Sequence, residues 1–261
     1  MKLWYRLSHP KKGEKIDKRA LDNWNMIVEI VQRCIGEGEI PEAFTYGVLV
    51  IIPKDDKGGV RGIGLLETIH KLISSIINLR MNEKIEFCEA VHGFRRKRGC
   101  YTAIGEAKIW MQQAICGSET IYQIYLDLRK AYDSIDRNRV LRIMEVYKVG
   151  PNIRRYIRKI WEKQHFMLWQ AGFYSDTINV ERGVTQGDID SPIIFNIIID
   201  AVLQNVMGSE LYNKSITSFY ADDGLIEHKN PEALQKDLDI FISLFEKMGL
   251  KTNASKTKYV W

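Results

Sequence analysis

Apolar residues recur along this chain at two spacings, every third or fourth position and every second position, marking helices and strands in turn. Asp17 is placed to cap a helix running to about Ile35, which Gly36-Glu37-Gly38 ends. Val48 to Ile52 reads as a short buried strand stopped by Pro53, with a turn over Asp55-Asp56-Lys57-Gly58-Gly59. Leu66, Ile69, Leu72, Ile73, Ile76 and Arg80 trace one helical face, and Thr102 to about Ala114 is a further helix. Ile121 to Leu126 reads as a strand ending on Asp127. Gly150-Pro151 separates two predicted helices, Arg139 to Tyr147 and Asn152 to Lys163. Phe166 to Gln170 and Thr177 to Val180 suit a hairpin, and Pro192 to Met207 an apolar helix with proline in its first turn.

The C-terminal third is the most legible. Ile216 to Ala221 and Leu225 to His228 flank Asp222-Asp223-Gly224, and Asp-Gly between alternating runs signals a hairpin. Asn230-Pro231 then opens a helix with Leu234, Leu238, Phe241, Phe245 and Met248 on one face. Gly249 closes it, and Thr257 to Trp261 is a last strand. Strand, helix, hairpin, helix, strand is a βαββαβ order, with most of residues 137–188 inserted into it. The expected class is therefore α+β.

Composition narrows the field. With 45% apolar and 27% charged residues in 261, a disordered or fibrous chain is excluded. The longest apolar run, Pro192 to Ile199, is interrupted by Asn196, and the N-terminus lacks a signal-peptide pattern. The four cysteines form no CxxC pair, so neither a zinc knuckle nor a disulfide framework is encoded. An intracellular chain, cytoplasmic or nuclear and without a membrane partner, is the expectation. The net charge of +5 is uneven: Arg137 to Lys163 carries a local +7, and Arg95-Arg96-Lys97-Arg98 forms a second basic cluster. Either alone suits a solvated face; together they lean towards a polyanion such as nucleic acid.

Three carboxylates carry the candidate chemistry. Asp127 stands where a hydrophobic strand runs out, and Asp222-Asp223 stand at a hairpin. In a βαββαβ sheet the first strand and the central hairpin can be neighbours, which would bring all three to one end. Packed carboxylates repel unless a cation neutralises them. Hard oxygen ligands without His or Cys favour magnesium or manganese, and two such ions suit in-line phosphoryl transfer. Taken singly, each aspartate reads better as a turn or a strand end; only convergence changes that.

At these residues the chain resembles the reverse transcriptases, in collinear order from about Ile40 to the C-terminus. YADDG (Tyr220 to Gly224) is similar to their catalytic hairpin, and YLDLRKAYDSID (Tyr125 to Asp136) to the strand bearing the first metal-binding aspartate. GVTQGDIDSPIIFNI (Gly183 to Ile197) resembles the Gln-Gly…Ser-Pro segment at the template and incoming nucleotide. IPKDDKGGVRGIGLLETIHK (Ile51 to Lys71) resembles the fingers segment that holds the triphosphate. HGFRRKRG (His92 to Gly99) and GLKTNASKT (Gly249 to Thr257) are similar to two further segments. A YADD tetrapeptide alone is weak, but six segments in order are not. The FN after Ser191-Pro192 points to the branch of non-LTR retrotransposons and group II introns.

The resemblance implies a polymerase right-hand fold: a βαββαβ palm, largely helical fingers and no thumb. Residues 1–112 would be fingers, 113–137 palm with the first metal-binding strand, 138–188 a fingers insertion and 189–261 the rest of the palm. It implies an RNA-directed DNA polymerase core that adds dNTPs to a DNA or RNA primer on an RNA template. Two magnesium ions, or manganese, would be held by Asp127, Asp222, Asp223 and the Leu128 carbonyl, with Asp222 the stronger of the paired ligands. Lys54 and Arg61 would clasp the triphosphate; Lys130, Ala131, Gln186 and Gly187 would line the nucleotide; Tyr132 would exclude a 2′-hydroxyl. Lys256 would stand by the leaving pyrophosphate. Arg95, Arg96, Lys97, Arg98, Arg154, Arg155, Arg158 and Lys159 would contact nucleic-acid backbone, which positions a duplex without reading it.

Two alternatives remain at this level. An RNA-directed RNA polymerase would share the carboxylates, but that class generally carries a small or acidic residue and a partner asparagine where Tyr132 and Gln186 stand. A domesticated, non-catalytic RNA-binding copy is the other. The chain reaches Trp261 without a recognisable thumb, endonuclease, RNase H or zinc-binding segment, so a fragment of a longer polyprotein, or a partner supplying the grip, is expected.

Overall fold

A computed structural model describes residues 18–54, 59–170 and 172–261, with the Lys54 side chain outside the described set. Asp17 and Asp55 to Gly58, read above as a cap and a turn, lie outside the described residues. Helix α1 (Lys18–Gln32) continues into a wide turn (Arg33–Glu37) that Gly38 ends in the left-handed region, φ 74°. Strands β1 (Tyr46–Lys54) and β2 (Gly59–Leu66) form a hairpin, followed by helices α2 (Thr68–Lys84) and α3 (Cys100–Gly117). Strand β3 (Tyr122–Arg129), the short helix α4 (Ala131–Ser134) and helices α5 (Arg137–Val146) and α6 (Pro151–Lys163) come next. They lead into the hairpin β4 (His165–Gln170) and β5 (Phe173–Asn179). Helix α7 (Ser191–Met207), hairpin β6 (Ile216–Tyr220) and β7 (Asp223–His228), helix α8 (Pro231–Lys247), β8 (Lys251–Thr252) and β9 (Lys258–Val260) complete the chain.

The strands form two sheets. One has the order β2-β1-β4-β5, with β1 and β4 parallel. The other has the order β6-β7-β3, and β3 pairs on its far side with β8 and then β9. The second sheet is the βαββαβ unit expected from the element order, with α5, α6 and the whole first-sheet hairpin β4–β5 inserted between its first strand and first helix. Residues 124, 126 and 128 of β3 point into the core, so period-two alternation sends Gln123, Tyr125 and Asp127 to the opposite face. Helix α7 is buried almost all round, which explains its apolar composition. Phe241 and Phe245 of α8 close on Phe219 of β6, with ring centroids 5.8 and 6.0 Å away.

Four local expectations are corrected. Pro53 does not stop β1. The parallel ladder to β4 covers only Tyr46 to Val50, so Pro53 lies beyond it, where a missing N–H breaks no bond to β4. Leu66 belongs not to a helix but to β2, a strand whose glycines hid it from the pattern. The buried side of α2 is then His70, Ile73, Ser74, Ile77 and Met81 rather than the face through Leu72. Finally, Asp223-Gly224 is not the hairpin turn. The turn is Ala221-Asp222, with Ala221 at φ 54°, and Asp223 already pairs with Tyr220. Glycine at 224 answers a close approach: a Cβ there would meet the Phe219 ring at 2.5 Å.

Among the described residues no helix is long and apolar enough to cross a membrane.

Candidate active site

Antiparallel pairing of β3 with β7 sets Asp127 directly opposite Asp223, and directly opposed residues project from the same face. Asp222, one residue earlier in the turn, completes a group of three carboxylates on one cleft of about 800 Å3. Leu128, Lys130, Ala131, Tyr132, Arg61, Gln186 and Lys256 line the same cleft. An adjoining cavity of about 380 Å3 shares Arg61, Tyr132, Gln186, Asp222 and Asp223 and adds Gly187 and Tyr220. The nucleotide-contact residues expected from the sequence are thus gathered, with Lys54 the one whose side chain lies outside the described residues.

The electrostatics show that the carboxylates feel one another. Burial pushes the Asp223 carboxyl above its usual range, the negative charges of Asp222 and Asp127 push it further, and Lys256 opposes them. Asp127 is held rather than free: Asn253 donates from Nδ2 to Asp127 Oδ2 at 2.6 Å and from its backbone to the Asp127 carbonyl at 2.8 Å. The Lys256 ammonium lies 3.8 Å from the same oxygen. Asn253 went unremarked in the sequence although it sits inside the GLKTNASKT segment; its approach depends on β8 folding back onto β3.

A donor set of carboxylate oxygens under mutual repulsion, with no His or Cys lining the cleft, fits a hard divalent cation. Among the described residues, no three His, Cys, Asp or Glu side chains lie close enough to hold one ion as they stand.

Tyr132 has a defined seat. Its ring stacks on Phe195 of α7, centroids 4.9 Å apart and planes 10° apart, and its carbonyl accepts from the Val184 N–H at 2.9 Å. Burial, then the charges of Asp222 and Tyr220, drives its hydroxyl pKa up, so the phenol stays neutral. Lys130 takes a left-handed conformation, φ 46°, that starts α4 and turns the chain from Asp127 to Tyr132. On the other wall the Gly64 N–H of β2 donates to the Gln186 carbonyl at 2.7 Å. Gly187, at φ 113°, lies so close to β2 that a Cβ would meet the Gly64 carbonyl at 2.5 Å. Its small size is used by β2.

The basic residues divide. Arg95 donates to the carbonyls of Cys88 and Val91, each at 2.7 Å, and stacks over Phe87. Arg98 pairs with Glu89 and, at 3.2 Å, with Glu106. Both brace the segment that runs beside β6, where the His92 N–H donates to the Phe219 carbonyl at 2.8 Å. Arg154 bonds the Val149 carbonyl and Glu145. Arg155 bonds the Gly36 carbonyl, and Lys159 that of Gly38 at 2.8 Å, fastening the turn after α1 to α6. Arg96, Lys97 and Arg158 are exposed. The clustering that suggested one polyanion surface therefore serves the protein's own carbonyls at five of eight positions.

Arg137, named in the sequence only as the start of a basic run, has a separate place. It is buried, donating to the carbonyls of Gly183, Trp161 and Val180 and to Gln164, with burial lowering its pKa to about 10. It ties the start of the Gly183–Gln186 wall to α6.

The model of the family described as reverse transcriptase (RNA-dependent DNA polymerase) matches residues 52–261. The Pol polyprotein of the type-2 retrotransposable element R2DM of Drosophila melanogaster is 25% identical over 240 residues, covering 88% of this chain and 23% of that protein. The RNA-directed DNA polymerase from mobile element jockey of Drosophila funebris is 24% identical, covering 88% and 27%. A COX1/OXI3 intron 1 protein of Saccharomyces cerevisiae is 26% identical over 205 residues, covering 75% and 22%. The chain thus spans about a quarter of the length of these relatives. Apo telomerase from Candida tropicalis, truncated from its C-terminal domain, superposes with a TM-score of 0.63 at 17% identity, covering 92% of this chain and 55% of that one. That likeness identifies the fold as the right-hand polymerase type.

Proposed function

The chain belongs to the reverse transcriptase (RNA-dependent DNA polymerase) family, and from that premise we propose that it is the catalytic core of an enzyme that extends a primer with dNTPs on an RNA template. The observation that carries this reading is the in-register opposition of Asp127 and Asp223, with Asp222 in the adjoining turn and all three on one cleft.

Asp127, Asp222 and Asp223, with the Leu128 carbonyl, would hold the divalent ions. Such ions, magnesium or manganese, lower the pKa of a primer 3′-hydroxyl and neutralise a leaving pyrophosphate. The chain's own residues do the rest by position and charge, which suits phosphoryl transfer, where little covalent chemistry falls to the protein. Arg61 offers a guanidinium fork to triphosphate oxygens from β2, and Lys256 a cation on the opposite wall. Tyr132, stacked on Phe195, fills the space that a ribose 2′-hydroxyl would need. Gln186 and Gly187 form the wall along the base pair. The separation of the β1-β2-β4-β5 sheet from the β3-bearing sheet supports fingers over residues 1–112 and 138–188, and palm over 113–137 and 189–261.

The test is primer extension by the purified chain on an RNA template, with dNTPs or rNTPs and with magnesium, manganese or EDTA. Metal-dependent, dNTP-selective extension is expected. A preference for rNTPs would instead assign an RNA polymerase, and template binding without extension in either metal a non-catalytic binding protein.

A further inference from the structure

Behind the Gln186–Gly187 wall, titratable side chains from three separate segments meet in the interior. The His70 imidazole of α2 is buried, with Nδ1 2.8 Å from the Tyr156 hydroxyl of α6 and Nε2 2.9 Å from Asp188 Oδ2. Ser74 Oγ lies 3.4 Å from Nε2. Asp190, beside Asp188 and just ahead of α7, is also buried, and burial together with the Asp188 charge pushes its carboxyl well above the usual range. Burial and both aspartates also raise the Tyr156 pKa, so its phenol keeps its proton.

Both ring nitrogens thus have a polar partner: the Tyr156 hydroxyl at Nδ1, and at Nε2 the Asp188 carboxylate, an acceptor for Nε2–H. Asp188 in turn closes a tight turn: its Oδ1 accepts from the Ile189 N–H at 2.8 Å and its own N–H donates to the Thr185 carbonyl at 3.2 Å. The two residues inside that turn are Gln186 and Gly187, whose other face is fastened to β2 through Gly64. The turn is therefore held at its far end by Asp188, with Asn78 Nδ2 donating to the next carbonyl, that of Ile189, at 2.6 Å, and Asp188 is held by His70.

We propose that His70 is a positioning residue: through Asp188 it fixes the Gln186–Gly187 turn, and so sets the cleft wall against which an incoming nucleotide is held. The proposal rests on the polymerase reading for the identity of the ligand, but not for the anchoring itself.

Two variants and two readouts test it. His70→Phe keeps the ring volume and removes both bonds, whereas His70→Gln keeps a donor near the Nε2 position. Amide exchange at Gly64 and Ile189 should quicken by about tenfold or more in His70→Phe, the scale of one lost hydrogen bond to a charged group, while Phe241 and Phe245 of the distant core keep their protection. In the extension assay, KM for the dNTP should rise by a similar factor with kcat and KM for primer–template within about twofold, since uniform nucleotide binding is what a displaced wall loses. His70→Gln should stay within about threefold of wild type in both readouts.

Unchanged Gly64 exchange in folded His70→Phe overturns the proposal whatever the enzyme does. So does a fall in kcat at constant KM, or a His70→Gln variant as impaired as His70→Phe. If His70→Phe does not fold, the isosteric Asp188→Asn takes its place, with faster Gly64 exchange expected and no change overturning the proposal. A wild type that adds no nucleotide defeats the polymerase reading alone, and the Gly64 exchange rate still decides the anchoring.

Discussion

Asp127 and Asp223 are register partners across the β3–β7 ladder, and their shared face opens on the cleft while Asp222 occupies the turn beside them. Like charges set opposite one another in a sheet cost stability, so this pairing has a use outside folding. Burial first, then the charges of Asp222 and Asp127, raise the Asp223 pKa. Asp222→Asn removes one of the three charges without changing volume. The variant should melt at the same temperature as wild type or higher in the absence of metal, and lose nucleotide addition by about a thousandfold, as when one preorganised electrostatic contact to the transition state is deleted. Parallel thermal melts and single-turnover extension measure both, and full magnesium-dependent activity would refute the assignment.

Asn253 anchors Asp127 at 2.6 Å. A bond of this kind orients a ligating carboxylate, and its removal typically weakens metal affinity about 10–100-fold. Asn253→Ala should raise the magnesium concentration for half-maximal extension by about tenfold, with activity recovering at high magnesium. A titration curve superposable on wild type would show that the contact is incidental.

Tyr132 rests against Phe195 and borders both cavities. Tyr132→Ala empties that seat without touching a carboxylate. Ribonucleotide use should rise by more than deoxynucleotide use falls, shifting the ratio of kcat/KM for matched dNTP and rNTP by about tenfold or more. Selectivity that survives the substitution would move sugar discrimination to another residue.

For the basic residues the structure separates two effects. Neutralising exposed Arg96, Lys97 and Arg158 should flatten the salt dependence of duplex binding, by about 0.9 in log–log slope per lost contact on B-form DNA and less on a hybrid. Neutralising Arg155 and Lys159 should instead lower the melting temperature, because the carbonyls of Gly36 and Gly38 lose their donors. Salt titrations of binding and thermal melts of the two sets distinguish these outcomes; interchanged results would reverse the assignment.

Glu227 gives a pH test away from the cleft. It is buried, and accepts from Gln123 Nε2 at 2.6 Å; burial raises its pKa despite that bond. The folded state thus holds the proton more tightly than the unfolded chain, so stability falls as pH rises from the unfolded value of about 4.3 through the folded one. Glu227→Gln should be more stable than wild type at pH 7, with the difference shrinking towards pH 4. Urea unfolding at the two pH values checks this, and a constant difference would mean that the charge is not the cause.

Local chemistry made much of this protein readable. Alternation placed Asp127 near the end of a strand, which runs on to Arg129, the apolar face of Leu234, Phe241 and Phe245 placed α8, and six ordered segments identified the family, because each signal lies within a few neighbouring residues. What depends on residues far apart was not legible. The turn lies at Ala221-Asp222, and Gly224 instead faces the Phe219 ring across the ladder. The carboxylates became partners only when about 95 residues folded away between β3 and β7. A run of arginines reads alike in sequence whether each side chain meets solvent, a phosphate or a carbonyl of its own chain. Sequence by itself determined most of the elements, the family and the residue types of the cleft. Only the tertiary structure decided that Asn253 holds Asp127, that Arg137 and Arg155 serve backbone carbonyls, and that His70 stands behind Asp188, because a buried polar group takes whichever partner the packing brings within hydrogen-bond reach.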